Sequence, residues 1–150
     1  MISVKSNLHI VRASAWYDLI VTAGFMTPWT AAAVIKGFAA LSNGLALDRP
    51  VPALDVTAML FANLLGSIVV AWSLWRLMHA SREVGLYDAM ARILFAAWQL
   101  FAVAQGASFL LLGFTVIEVG FAIAQVLPTN ESGRWARQPN RQPAPLYRQP

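Results

Sequence analysis

The longest apolar stretch of the chain runs from Ile93 to Leu127, and only one of its 35 side chains, that of Glu118, is charged. A continuous apolar run of more than about 18 residues is typical of a membrane-spanning helix. This run is about twice that length, and the polar turn sequence QGAS interrupts it at residues 105–108. We therefore expect two antiparallel spans joined by a tight hairpin.

The same pattern elsewhere predicts an all-α integral membrane protein, a four-helix bundle forming one domain. The spans are expected at about residues 12–28, 54–75, 87–105 and 108–127, between a short N-terminal segment, 1–11, and a proline- and arginine-rich tail, 128–150, predicted to be disordered. Residues 29–42 predict a short extra helix after Pro28. That helix either extends the first span beyond a proline kink or lies on the membrane surface, which we favour slightly.

Composition supports lipid as the surrounding solvent. Hydrophobic residues make up 58% of the chain and charged residues 12%, against roughly 25% charged in an ordinary soluble domain. The absence of cysteine excludes disulfides and thiolate metal sites. The two histidines, His9 and His79, fall at predicted span ends, so we expect no haem, no metal and no other cofactor. The sequence also carries no recognisable catalytic motif and no nucleic-acid-binding module.

The basic residues predict the orientation. One side of the predicted membrane receives nine: Lys5, Arg12, Arg76, Arg82, Arg92, Arg134, Arg137, Arg141 and Arg148. The other side receives two, Lys36 and Arg49. Because basic residues are enriched on the cytoplasmic side, both termini are expected there. The pattern resembles that of small four-helix inner-membrane proteins of bacteria, which implies the inner membrane. Expected partners are membrane lipids, further copies of the chain or a larger membrane complex.

Four polar side chains interrupt the predicted spans at mid-depth. Asp18, Asn63 and Glu118 each lie roughly 14–15 Å from the outer end of a span, and Gln99 lies about 9 Å from its end, at about 1.5 Å per residue. They form a candidate polar layer. A buried carboxyl group favours its neutral form, so Glu118 is expected to be protonated, or to have its charge stabilised by Asn63 or Gln99.

Two interpretations of these residues remain open at this point. The amides and Glu118 can simply hydrogen-bond across helices and hold the protein together. Asp18 can instead pair with Arg12 or Arg92, because charges within membranes are usually paired. The function expected first is that of a non-enzymatic accessory subunit or a binder of a lipid-like ligand. The alternative is a proton-coupled small-molecule carrier, or an intramembrane enzyme, in which Glu118 takes up and releases the proton.

Overall fold

The computed structural model describes residues 2–47 and 49–130, and this part of the chain is helical. Two two-residue strands, β1 (Ile2–Ser3) and β2 (Thr129–Asn130), pair in parallel. The helices are α1 (Val4–Thr22), α2 (Pro28–Gly44), α3 (Val56–Met78), α4 (Arg82–Ala104) and α5 (Leu110–Val126). The all-helical class is therefore as predicted, while most of the predicted tail, from residue 131 onwards, lies outside the described residues.

The buried face of each long helix is made of small and polar side chains. On α1 the buried residues are Asn7, Val11, Ser14 and Ala15. On α5 they are Thr115, Glu118, Ala122 and Gln125, which recur every three or four positions. Large apolar side chains such as Ile68 and Val116 point outward and are exposed. This arrangement is typical of helices that meet in lipid, where small residues permit close approach and polar groups bond across the interface.

Two helices are long and apolar enough to cross a membrane, α3 and α4. The first helical segment together with α2 makes a third candidate if this bent pair counts as one span. The fourth predicted span corresponds to α5, which is apolar but has 17 residues. Helix α3 packs mainly on α1, and α4 packs mainly on α5.

The first helix breaks sharply before Pro28. A 3₁₀ turn, Ala23–Phe25, follows α1, and the axis of α2 departs by 107° from that of the preceding segment. Thr27 begins α2 by accepting a hydrogen bond from the backbone N–H of Thr30, and Pro28 occupies the first turn, where it loses no helical hydrogen bond. Residues 28–44 therefore form a separate helix, not a gently kinked continuation of α1.

Asn63 of α3 stabilises this break. Its Nδ2 donates a hydrogen bond of 2.7 Å to the carbonyl oxygen of Phe25, a group left free where the helix ends. Gly66 lets α3 come close, since a Cβ atom there would lie 2.8 Å from the carbonyl carbon of Phe25. Irregular backbone at membrane depth is tolerated where protein groups satisfy it.

Two helix boundaries differ from the predicted ones. Helix α1 begins at Val4, inside the predicted N-terminal segment, because Ser3 caps it by accepting from the backbone N–H of Ser6. Helix α4 begins at Arg82, before the predicted start of the third span at about residue 87, because Ser81 is its N-cap. The α4–α5 hairpin forms as expected, and Gly106 supplies its one positive φ angle, 104°, which glycine adopts without strain.

Candidate functional site

Five charged side chains from four helices meet inside the protein. We call this group the ionic cluster: Asp18 of α1, Arg76 of α3, Asp88 and Arg92 of α4, and Glu118 of α5. Arg76 and Arg92 are only 0% and 1% exposed. Charged groups are removed from solvent to this degree only when they are paired and hydrogen-bonded.

Arg92 is the centre of the ionic cluster. Its Nε lies 3.0 Å from Asp88 Oδ2, its Nη1 lies 2.5 Å from Glu118 Oε2, and its Nη2 lies 2.7 Å from Asp18 Oδ2. The planar guanidinium presents its N–H groups in a rigid fork and can bind several carboxylates in fixed directions. One side chain thus holds α1, α4 and α5 together.

Arg76 completes the cluster from the last turn of α3. Its Nη1 lies 2.5 Å from Asp88 Oδ1, and its Nη2 pairs with Asp18 Oδ2. Nη2 also donates to Ser73 Oγ at 3.1 Å. Asp18 and Asp88 therefore each bridge both arginines, which ties α3 to α1 and α4.

Asp88 is bonded on every side. Besides the two arginines, its Oδ2 accepts hydrogen bonds from Gln125 Nε2 at 2.7 Å and from Ser14 Oγ at 3.2 Å. Ser14 and Gln125 are both fully buried. Asp88 is therefore a structural carboxylate whose hydrogen-bonding capacity is used within the protein.

Asp18 and Glu118 are bonded on one side only. Each uses a single carboxylate oxygen, Asp18 Oδ2 and Glu118 Oε2, to pair with arginine. The other oxygen of each, Asp18 Oδ1 and Glu118 Oε1, takes part in no hydrogen bond with the described residues. These two carboxylates thus keep accepting capacity that the protein does not fill.

Asp18 and Glu118 line a cavity of about 460 Å³. Asp18 and Glu118, together with Tyr17 and Gln99, give it a polar end, and the remaining lining is almost entirely apolar. We call this space the apolar cavity. Leu65, Phe95 and Trp98 line it and are themselves exposed, at 54%, 39% and 66%, so it is open to the exterior between α3 and α4.

A second cavity of about 550 Å³ lies next to the first. Phe25, Phe38, Leu111 and Phe114 line both spaces. The ring centroid of Phe38 lies 6.4 Å from the ring centroid of Phe25 and 5.5 Å from that of Phe114. These three aromatic rings form a partition between the two cavities, and the second one extends to the α4–α5 hairpin at residues 106–108.

The predicted polar layer divides into three parts. Asp18 and Glu118 meet on Arg92. Gln99 lines the apolar cavity with them, but its Oε1 accepts a hydrogen bond from Thr115 Oγ1 at 2.8 Å. Asn63 lies elsewhere, on the carbonyl of Phe25. Glu118 pairs with Arg92, and among the described residues neither Asn63 nor Gln99 forms a hydrogen bond with its carboxylate.

Sequence analysis missed Arg76 and Asp88 as members of the site, and it assigned Arg76 and Arg92 to the cytoplasmic surface. Both arginines lie inside the protein. Subtracting them from the nine predicted cytoplasmic basic residues leaves seven against two, so the direction of the bias is unchanged. A signal was available: Asp88 and Arg92 are spaced i, i+4, which places them on one helix face.

Comparison with protein-family models, with curated proteins and with solved structures gives no significant match. Within the described residues, no group of three or more histidine or acidic side chains is arranged to hold a metal ion.

Proposed function

We propose that this protein is a non-enzymatic, four-span membrane protein that binds a lipid-like ligand in the apolar cavity. The observation that carries the proposal is the combination of apolar walls, a polar end and an opening between α3 and α4. Such a site suits an amphipathic molecule that enters sideways from the lipid. Ligand pockets are commonly apolar with a few polar groups that fix orientation.

Several features support four spans. Helices α3 and α4 have the required length and hydropathy, and the first helical segment with α2 qualifies as a bent pair. The 17 residues of α5 reach about 26 Å, at the short end of the usual range for a membrane helix. Large apolar side chains face outward on all three of the later helices, including Phe61, Ile68, Leu94, Phe101, Val116 and Ile123.

We place both termini in the cytoplasm and the protein in the inner membrane, on the basis of the seven-to-two distribution of the basic residues outside the ionic cluster. Reporter fusions after Leu45 and after Ala80 test this orientation. We expect an external signal at Leu45 and a cytoplasmic signal at Ala80. The same side at both positions would contradict four spans.

Binding is tested by filling the cavity. Ala62 of α3 lines the apolar cavity, whereas Ala71 of the same helix is exposed outside it. Ala62→Phe is expected to remove specific binding of a radiolabelled neutral amphiphile, dodecanol, to the protein in nanodiscs, and Ala71→Phe is expected to retain it. Equal dodecanol binding by both variants would contradict a ligand site here.

A proton-coupled carrier is the second candidate. The ionic cluster contains three carboxylates and two guanidiniums, so its acidic groups exceed its basic groups by one, and Asp18 and Glu118 face the cavity. A carboxylate in that position can exchange a proton for a substrate. Under this alternative, proteoliposomes should show substrate-dependent proton movement that Glu118→Gln abolishes. Proton movement that is unaffected by this substitution would exclude the role of Glu118.

A further inference from the structure

The polar end of the apolar cavity has a defined sign of charge. With all groups ionised, the three acidic and two basic side chains of the ionic cluster leave one net negative charge. Asp88 does not offer this excess negative charge to a ligand, since both of its oxygens are bonded within the protein. The excess therefore lies on Asp18 and Glu118, which line the cavity.

Neither arginine lines the cavity, so neither presents a donor to an anion there. The three nitrogen atoms of the Arg92 guanidinium are directed at Asp88, Glu118 and Asp18. Arg76 Nε has no hydrogen-bond partner among the described residues, but it is buried away from the cavity lining. A carboxylate or phosphate placed at this end would meet two like charges and no free cationic donor, which is a strong element of discrimination.

The two unbonded carboxylate oxygens of Asp18 and Glu118 can accept hydrogen bonds from a ligand in the cavity. Asp18 Oδ1 and Glu118 Oε1 make no hydrogen bond with the described residues, and Glu118 is only 7% exposed. A buried carboxylate gains most from a partner that carries both a positive charge and N–H groups, because charge-assisted hydrogen bonds are about twice as strong as neutral ones. The rest of the cavity has apolar walls, so the remainder of the ligand should be apolar.

We propose that the ligand of the apolar cavity is an amphipathic amine, whose protonated amino group donates hydrogen bonds to Asp18 and Glu118 while its hydrocarbon chain fills the space lined by α3, α4 and α5. This inference rests on the proposed ligand-binding function and adds the class of head group. A free alkylamine fits better than an intact phospholipid, because the phosphate of the phospholipid would lie close to the same two carboxylates.

Three probes of equal chain length test the head group: dodecylamine, dodecanol and dodecanoate. Each competes against radiolabelled dodecylamine on purified protein in phosphatidylcholine nanodiscs, with empty nanodiscs subtracted. We expect dodecylamine to bind at least about tenfold more tightly than dodecanol, the factor for one hydrogen bond to a charged group, and dodecanoate to bind most weakly. Equal affinities for amine and alcohol would overturn the proposal.

Substitutions of the two carboxylates test whether they cause the preference for the amine. Glu118→Gln removes the excess charge but keeps an acceptor for Arg92, and it is expected to lower dodecylamine affinity at least about tenfold while leaving dodecanol binding unchanged. Asp18→Asn is expected to act in the same direction. Glu83→Gln alters an exposed acid of α4 and should change nothing. Unchanged amine binding in both Glu118→Gln and Asp18→Asn would overturn the proposal.

Two further comparisons separate the possible failures. Phosphatidylethanolamine that competes as well as dodecylamine, in a manner that depends on Glu118, would support an amine ligand with a lipid as its source. Dodecanol binding that Ala62→Phe removes, without any preference for the amine, would overturn the amine inference and leave the proposed ligand site intact. Failure of all three probes to bind would contradict the proposed function itself.

Discussion

The ionic cluster and the apolar cavity are built from the same helices but are packed in opposite ways. In the cluster, side chains from α1, α3, α4 and α5 join through ion pairs and hydrogen bonds of 2.5–3.2 Å. In the cavity, about 460 Å³ between those helices is unfilled and open on one side. The first region is held together by directional polar bonds, whereas the second is bounded mainly by apolar side chains and by the two carboxylate oxygens, of Asp18 and Glu118, that the cluster leaves free.

The difference shows how helices can enclose unfilled space between them. In the proposed membrane arrangement, lipid gives no hydrophobic force that would press the helices together, so their spacing depends on packing, hydrogen bonds and ion pairs. Arg92 supplies the most extensive of these connections, since it bonds carboxylates from three helices. The directional bonds of the cluster hold the helices at a set separation, and the cavity beside them does not need to be filled.

The largest expected effect is that of Arg92→Ala. The substitution leaves Asp18, Asp88 and Glu118 with one arginine between them, and breaking a buried ion pair in this way costs about 3–5 kcal/mol. The free energy of unfolding, measured by denaturant titration in bicelles, should fall by that amount. Arg82→Ala removes an exposed arginine of the same helix and is the control. Equal stability of the two variants would mean that the cluster does not hold the helices together.

A matched pair of neutralised acids compares the two regions directly. Asp88→Asn disturbs a carboxylate bonded to both arginines, Gln125 and Ser14, and is expected to cost about 2 kcal/mol or more. Glu118→Gln also removes one charge, but it disturbs a single bonded oxygen and leaves Arg92 paired with Asp18 and Asp88, so its cost should be smaller than that of Asp88→Asn. The same unfolding titration measures both. A larger loss for Glu118→Gln would reverse our assignment of structural and ligand-facing carboxylates.

A smaller effect is expected at the close contact of α3 with the broken helix. Gly66→Ala places a Cβ atom 2.8 Å from the backbone of Phe25, and overpacking of this kind costs about 1–3 kcal/mol. Gly113→Ala in α5 meets no atom within 4 Å and should be neutral or slightly stabilising, since alanine favours a helix more than glycine does. Thermal unfolding of both variants would show whether the contact is as tight as described.

The smallest effect is expected for Asn63→Ala, which leaves the carbonyl of Phe25 without its 2.7 Å hydrogen bond. Hydrogen bonds between membrane helices contribute about 0.6 kcal/mol on average, so we expect a loss of about 1 kcal/mol at most. Ser67→Ala removes only a hydrogen bond to the backbone of its own helix and serves as the control. An effect of several kcal/mol at Asn63 would contradict a role limited to this one hydrogen bond.

Much of the helical architecture could be predicted from the sequence, because long apolar runs and the glycine-containing turn at residues 105–108 are local signals. The contacts of the candidate site could not. Depth along a helix follows from residue count, but rotation about its axis does not, so Asn63 and Glu118 were expected together although they face different neighbours. Arg76 was interpreted as an interfacial residue because it lies near a helix end, where arginine is common.

A more informative signal was present in the polar stripes. Asn7, Ser14 and Asp18 of α1 lie on one face, as do Asp88, Arg92 and Gln99 of α4 and Thr115, Glu118 and Gln125 of α5. In a chain of this hydropathy, such a stripe marks the inward face. Applying that rule would have placed Asp88 and Arg92 beside Glu118, although the choice of partner oxygen atoms and the empty space next to them depend on packing that sequence periodicity does not describe.

The distribution of the ionic cluster along the chain has a consequence for biogenesis. In the proposed membrane arrangement, Asp88 and Arg92 neutralise each other within α4, so this pair adds no net charge to its helix. Asp18 of α1 and Arg76 of α3 form ion pairs only with residues of other helices. A nascent chain that has released α1 still awaits α3 and α4, so the final docking of its first helix depends on synthesis of the later ones.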